Sequence, residues 1–229
     1  MNWDVLFDFS PLVNEFGKIV SAFWSTLRLS LMTGLLALIL GTVLAGMRVS
    51  PTRVLRMAGT FYVNTLRNTP LTLVLLFCSL ALSDTLGVKL SDSASVNFYW
   101  LAVLGLSAYT AAFVAEALRA GINTVPVGQA EAARAIGLTF TQSLRMIVLP
   151  QAFRAVIAPL GSITIAMIKN TTIVLVASYL EAAALMKDMF EQYGATLPIF
   201  LGFAAGFMIL TLPTGFLFGW AAKRWAVVR

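Results

Sequence analysis

The sequence predicts an all-α membrane protein with five transmembrane helices, and its composition and charge spacing support that fold class. Of the 229 residues, 59% are apolar and 11% are charged, whereas soluble domains carry about 25% charged residues. The charges are clustered, so uncharged runs of 19, 23 and 31 residues remain at 29–47, 93–115 and 192–222. As a helix, each run can cross a hydrocarbon core of roughly 30 Å.

Two further spans follow when one interior charge is allowed. Residues 57–83 contain only Arg67, and residues 155–180 contain only Lys169. In the last span, Gly202-xxx-Gly206 and Gly215-xxx-Gly219 would let another helix approach closely. We expect a single transmembrane domain over residues 1–229. The predicted spans are 19–47, 55–83, 96–118, 153–179 and 196–222.

The basic residues predict the orientation of the chain, because Lys and Arg beside helix ends are retained on the cytoplasmic face. The segments 48–56, 119–154 and 223–229 hold ten basic residues, whereas the opposite segments hold three. Eight of the ten acids, Glu181 among them, fall on that opposite side. We therefore expect the N-terminus outside and the C-terminus in the cytoplasm, with the connection between the third and fourth spans also in the cytoplasm.

The composition argues against several classes of function. The chain has no His and a single Cys, so it lacks the commonest metal ligand and the commonest general base near neutral pH. We expect neither a catalytic nor a metal site. The net charge of +6 comes without the dense basic patch that nucleic-acid binding needs, and anionic membrane lipid explains it more simply.

The connection at about residues 120–150 is long for a turn between antiparallel helices, which takes roughly 2 to 8 residues. Residues 129–136 read as a short Ala-rich helix that Gly137 ends. A slim helix with a charged edge suits a groove in a soluble partner. The alternative is a helix resting on lipid, although its apolar face lacks the expected Trp, Phe and Leu.

The spacing within this connection resembles the loop signature of ABC importer permeases. Glu131-Ala132-Ala133 is followed after three residues by Gly137, and after nine more by Ile147-Val148-Leu149-Pro150. The chain is also similar to the polar amino acid branch of that family, and most similar to the smaller permease subunit of actinobacterial glutamate importers. The segments that carry this similarity include Met47-Arg-Val-Ser-Pro51, Arg67-Asn-Thr-Pro70, Glu116-Ala-Leu-Arg-Ala-Gly121, Lys169-Asn-Thr-Thr172 and Gly206-Phe-Met-Ile-Leu-Thr-Leu-Pro213.

The resemblance implies the type I ABC importer permease fold and a multi-pass, non-enzymatic subunit of the bacterial cytoplasmic membrane. A dimer of cytoplasmic ATPase subunits would bind ATP and Mg, and an extracellular solute-binding protein would deliver the solute. The second permease subunit would be a different chain, with an identical one as the alternative. This chain lacks a Gly-x4-Gly-Lys-Ser/Thr phosphate loop, so it would hold no cofactor itself. The residues that would dock on the ATPase are Glu131, Ala132, Ala133, Gly137, Leu149 and Pro150.

Three basic residues lie within the predicted spans: Arg28, Arg67 and Lys169. Each would cost about 3 kcal/mol or more facing lipid, so we expect them to face a pathway, a subunit interface or a partner. A cationic lining favours an anionic solute. Alternatively, Arg67 and Lys169 bind backbone carbonyls or interface groups, and Arg28 extends to the membrane surface. The predicted pathway residues are Arg28, Arg67, Asn68, Thr69, Lys169, Asn170, Thr171 and Thr172.

Together with the resemblance, the basic residues predict import of glutamate or aspartate, with glutamine or another polar amino acid as the alternative. A secondary transporter generally needs inverted repeats and an embedded ion-coupling site, often with a carboxylate. The sequence has no visible repeat and no acid near a mid-span. Glu116, three residues before Arg119, is expected to pair with a basic side chain. A channel would need a recognisable filter, and none is apparent.

Overall fold

The computed structural model describes residues 8–194 and 196–225, and this part of the chain is built of helices without a β-strand. Two π-helical segments, Phe77–Thr85 and Leu144–Val148, continue the helices Leu71–Leu76 and Phe140–Ser143, and a 3-10 segment, Thr171–Ala177, continues the helix Leu149–Asn170. The α-helices are α1 (Ser10–Asn14), α2 (Phe16–Val49), α3 (Arg53–Arg67), α4 (Leu71–Leu76), α5 (Ala94–Asn123), α6 (Val127–Ala135), α7 (Phe140–Ser143), α8 (Leu149–Asn170), α9 (Ala182–Tyr193) and α10 (Thr196–Arg224).

Four stretches of helix are long and apolar enough to cross a membrane, and a fifth crossing results if α3 and the helix after it are taken together. By length and composition, the predicted five spans are reached when this bent pair is counted as one span. The fourth span begins well before the predicted residue 153, because α7 and its π-helical continuation run directly into α8. The four continuous stretches are Phe16–Val49, Ala94–Asn123, Phe140–Ala177 and Leu197–Arg224.

The second span differs in form from the continuous helix predicted over 55–83. It breaks between α3 and α4, and the two parts are bent by 105°. Pro70 lacks an N–H and disfavours helical backbone at the residue before it, and its own backbone is extended, with ψ at 134°. The Asn68 side chain donates to the Asn64 carbonyl at 2.7 Å, which satisfies an acceptor at the broken end. Proline chemistry therefore places Arg67 at a corner of the chain and not midway along a straight span.

Helix α5 is the centre of the bundle and α10 lies at its edge. In the most apolar 18-residue stretch of α5, 61% of the stretch is buried inside the protein, whereas in that of α10 only 17% is buried. Small residues let neighbours approach α5 closely: a Cβ on Gly41 of α2 would lie 2.6 Å from Val114, and a Cβ on Gly121 would lie 2.1 Å from Val156 of α8. Close van der Waals packing of this kind holds membrane helices together, because lipid provides no hydrophobic drive between them.

The glycines of α10 receive side chains from the start of the same chain. A Cβ on Gly202 would lie 2.5 Å from Leu12, and one on Gly206 would lie 2.2 Å from the Phe23 ring. That ring stands at 5.7 Å from the ring of Phe203 and at 5.3 Å from that of Phe207. The first small-residue motif of α10 thus serves packing within this chain.

Replacing Gly206 by Ala should lower the thermal stability of the purified protein in detergent. The added methyl would collide with the Phe23 ring, and overpacking of this kind costs about 1–3 kcal/mol. Gly219→Ala, on the same helix, is the matched control, because a Cβ there meets no atom within 4 Å. Equal melting temperatures for the two variants would contradict the close packing of α10 on α2.

Glu181, which is predicted to fall on the outer side of the membrane, is buried at the start of α9, with 1% of its surface exposed. It lies in the connection between the fourth and fifth spans. Thr26 of α2 donates its hydroxyl to Glu181 Oε2 at 3.0 Å, and the Ala183 N–H donates to Oε1 at 2.8 Å. Burial nevertheless dominates over these bonds and raises the pKa of Glu181 to about 7.

The buried carboxyl of Glu181 should make stability depend on pH. The native protein keeps this proton up to about pH 7, whereas the unfolded chain releases it near 4.5. The native state then binds more protons than the unfolded state, so stability should fall as pH rises between those values. Thermal melts across this range should show a smaller fall for Glu181→Gln. The control is Glu191→Gln, at an exposed position, and its melting temperature should depend on pH as that of the native protein does. The same pH dependence of the melting temperature in all three proteins would exclude the effect.

Candidate functional site

Helix α6 carries the predicted docking motif, and its boundaries agree with the predicted helix 129–136. It begins after Pro126 and ends at Ala135. The Gly137 N–H donates to the Arg134 carbonyl at 3.0 Å and the Leu138 N–H to the Ala133 carbonyl at 3.1 Å, which is the Schellman arrangement. Gly137 has φ at +91°, a conformation that other residues adopt only with strain. This explains in physical terms why the signature has a glycine at this position.

The docking motif has one side turned to the membrane helices and one side exposed. Ala133 is buried, with 4% exposure, while Glu131, Ala132, Gly137, Leu149 and Pro150 are exposed. Large apolar side chains also stand in the open around this loop, with Ile136 80% exposed and Val127 70% exposed. Helix α6 is held by one face, and exposed apolar side chains surround it. Such a surface is suited to bind another protein.

A pair of glutamines that the sequence analysis did not identify joins α6 to the beginning of α8. Gln151 donates from Nε2 to Gln129 Oε1 at 2.5 Å and to the Ile147 carbonyl at 2.9 Å. Helix α8 then runs for 22 residues, about 33 Å at the normal helical rise. Its far end is the segment Lys169–Thr172. Helix α8 therefore connects the Gln129–Gln151 pair to that segment.

One carboxylate, Glu116 of α5, is shared by three guanidinium groups. It accepts from Arg48 at the end of α2, from Arg119 at 2.5 Å, and it lies 3.4 Å from Arg67 Nη1. The prediction that Glu116 pairs with a basic side chain is confirmed. Arg119 contacts it, and so do Arg48 and Arg67. Arg67 also lies over the Phe113 ring, at 5.7 Å from its centroid.

Arg67 was predicted to line the pathway, and the structure places it on Glu116 with 40% of its side chain exposed. Its charge is thus partly balanced within the chain. The neighbouring polar side chains bond locally: Asn68 donates to the Asn64 carbonyl, and Thr69 donates to the Thr65 carbonyl at 2.8 Å. A direct contact of Arg67 with solute stays a prediction.

The segment Lys169–Thr172 lies where α8 passes into the 3-10 segment. Thr171 is fully buried and donates to the Ile168 carbonyl at 2.7 Å, and Thr172 donates to the Lys169 carbonyl at 2.8 Å. These hydroxyls thus satisfy the backbone at the helix end. Lys169 itself is exposed, and Asn170 and Thr172 are half-buried, so these three members of the segment can reach a ligand.

The structure brings the three predicted pathway segments to a common hydrophobic cluster. Leu29, which follows Arg28, packs in this cluster with Leu71, just after the α3–α4 corner, and with Val174 beyond Lys169. Arg28 is exposed. Within the described residues, no carboxylate lies within 4.0 Å of Arg28 or Lys169. Two unpaired cations therefore stand beside a shared core.

Comparison with known proteins agrees with this arrangement. The family model of the inner membrane component of binding-protein-dependent transport systems matches residues 37–227. The chain is 51% identical over 216 residues to the glutamate transport system permease protein GluC of Corynebacterium efficiens, covering 92% of this chain and 95% of that protein. It is 32% identical to the probable glutamine ABC transporter permease protein GlnM of Bacillus subtilis, covering 98% of each.

A solved structure extends the likeness to three dimensions. The crystal structure of an amino acid ABC transporter with histidines superposes with a TM-score of 0.85 at 26% identity, over 95% of this chain and 98% of that one. The spans, the loop signature and these similarities lead to one assignment. The chain is a membrane protein of the family of binding-protein-dependent transport system inner membrane components, in its polar amino acid ABC permease branch.

Proposed function

We propose that this chain is one permease subunit of an ABC importer that moves an acidic amino acid, glutamate or aspartate, into the cytoplasm. The observation that carries the proposal is the 51% identity to a glutamate transport system permease over 92% of the chain. Exposed Arg28 and Lys169, which lack a carboxylate partner within the described residues, support an anionic solute because such cations attract carboxylates.

The pathway would recognise both charged ends of the solute. Lys169 and Arg28 would bind carboxylates, while the amide oxygens of Asn68 and Asn170 can accept from an ammonium group. Arg67, at the α3–α4 corner, would add to the positive potential that attracts an anionic solute, although Glu116 offsets part of its charge. Amide and hydroxyl groups at these positions equally suit glutamine. The relative named as a glutamine permease makes glutamine the second candidate.

The chain would work with partners that supply the energy. A dimer of cytoplasmic ATPase subunits would bind ATP and Mg and dock on α6 through Glu131, Ala132, Ala133 and Gly137, with Leu149 and Pro150 nearby. A second permease subunit would complete the pathway, and an extracellular solute-binding protein would deliver the amino acid. This chain would contribute no catalysis. The Gln129–Gln151 bond supports this arrangement, because it links the docking helix to α8 and thus to Lys169.

Cells that lack this gene should lose ATP-dependent uptake of labelled glutamate and regain it with the intact gene. Excess aspartate should suppress the uptake, while glutamine and arginine should not. Arg28→Gln and Lys169→Gln should each reduce the maximal glutamate rate by about tenfold, the loss expected for one hydrogen bond to a charged group. Binding of glutamate to the solute-binding protein should be unchanged.

The matched control is Lys187→Gln, because Lys187 is exposed and pairs only with the surface residue Glu191. Its glutamate rate should equal that of the native transporter. Full glutamate uptake in the deletion strain, or glutamine as the better competitor, would overturn the acidic solute. Unchanged rates in both pathway variants would remove Arg28 and Lys169 from the pathway.

Gly137→Ala should weaken the coupling of ATP hydrolysis to transport. Alanine at the observed φ of +91° costs about 1–2 kcal/mol, so the loop that follows α6 would shift. Gly128→Ala, within α6, is the control. A Cβ at Gly128 or at Gly137 meets no atom within 4 Å, but of these two glycines only Gly137 has a positive φ. In proteoliposomes, the ATPase stimulation by loaded binding protein should fall for Gly137→Ala alone. Equal stimulation in both variants would exclude a docking role for this turn.

A further inference from the structure

An apolar groove of about 490 Å³ lies between α2, α5 and α8, near the ends that the charge distribution predicts to be cytoplasmic. Its walls include Leu38 and Gly46 of α2, Leu118 of α5, and Phe153 of α8. The lining of this groove shares no residue with the hydrophobic cluster at Leu29, around which the proposed solute pathway would lie. A groove with such walls accepts a hydrocarbon chain.

A second cavity of about 560 Å³ lies beside the groove. Val49, Ile122 and Leu144 line both spaces, so the two adjoin. The second cavity adds Arg48 and Arg119 to its walls. Together the two spaces form an apolar slot with a cationic end.

The cationic end has more positive charge than its own carboxylate can balance. Arg48, Arg67 and Arg119 all lie within 4.0 Å of Glu116, the one acid that contacts them within the described residues. The side chain of Arg48 is 9% exposed, and its Nε and the Nε of Arg119 have no hydrogen-bond partner. Arg48 and Arg119 line the cavity and share the single charge of Glu116 with Arg67, so the cavity can attract a further anion.

We propose that an anionic phospholipid occupies these two spaces, with an acyl chain in the groove and its phosphate beside Arg48 and Arg119. Basic pockets between membrane helices on the cytoplasmic side bind anionic head groups of this kind. A free phosphate or a carboxylate solute would leave the adjoining apolar groove empty. The phospholipid matches both the charge and the apolar extension.

The position of this lipid gives it a role in coupling. The charged cavity is also lined by Pro126, Val127 and Ala130 at the start of the docking helix α6. The lipid phosphate would therefore brace α6 against the ends of α2 and α5. The acyl chain would lie along α8, the helix that leads to Lys169.

Native mass spectrometry of the complete transporter, delipidated and then titrated, tests the site. Phosphatidylglycerol and phosphatidylcholine with equal acyl chains are the two probes. The native transporter should retain phosphatidylglycerol in preference to phosphatidylcholine. Gly46→Leu should abolish this retention, because a Cβ at Gly46 meets no protein atom within 4 Å and its side chain would fill the groove. Gly219→Leu, equally open but outside the groove, should retain the lipid as the native chain does.

Substitutions of Arg119 test whether lipid binding requires the positive charge. When Arg119 is replaced, Arg48 and Arg67 still contact Glu116. Arg119→Gln should weaken phosphatidylglycerol binding by about fivefold, the effect of one basic residue near an anionic lipid. Arg119→Lys keeps the charge and should restore the preference. Any of three results would overturn the proposal. The two lipids bind equally, Gly46→Leu retains phosphatidylglycerol, or neither lipid binds because a second subunit covers the groove.

Discussion

The carboxylate of Glu116 is the interaction on which the arrangement of the membrane helices depends. It lies on α5, the most buried helix of the bundle, and it contacts arginines at the end of α2, at the end of α3 and on α5 itself. A charge beside hydrocarbon is stable only when it is paired. The ends of these three helices must therefore meet, and the chain turns into α4 immediately after Arg67. The same charges form the cationic end of the proposed lipid site.

Small residues provide the second constraint, because membrane helices gain stability from close contact and not from escape from water. Gly41 brings α2 against α5, and Gly121 brings α8 against α5. Gly206 receives the Phe23 ring and so brings the last helix against the first span. Gly161 of α8 receives Phe218 of α10, so α8 packs against both α5 and α10, and it remains one helix through Pro159.

Helix α8 would connect the proposed docking surface on α6 to the proposed solute pathway at Lys169. Gln129 and Gln151 tie α6 to the start of α8, and the 3-10 segment at its far end ends at Ser178, which has φ at +60°. Strained backbone of this kind often marks a place where a chain changes conformation. In the proposed arrangement, energy from the ATPase would enter through α6.

The apolar spans, the short helix α6 and the special backbone at Gly137 were all predictable from the sequence, because each depends on neighbours close in the chain. Bilayer thickness sets the length of an apolar run, and a helix that ends in a left-handed turn needs glycine. The bend in the second span was also visible in principle, because Pro70 is a local signal, but hydropathy alone passed over it. Similarity of motif likewise predicted the permease family.

Tertiary structure alone decided which distant side chains meet. Glu181 reads as one more outer acid, yet it is buried on Thr26, which lies 155 positions earlier. Arg67 reads as a mid-span cation, yet the corner at Pro70 brings it to Glu116. The pairing of Gln129 with Gln151 and the apolar slot beside Arg48 likewise depend on helices whose packing is set by the glycines between them. The sequence by itself determined which segments enter the membrane, because that depends on summed transfer energies along the chain. Only the fold decided which charges are paired, because pairing depends on distances across it.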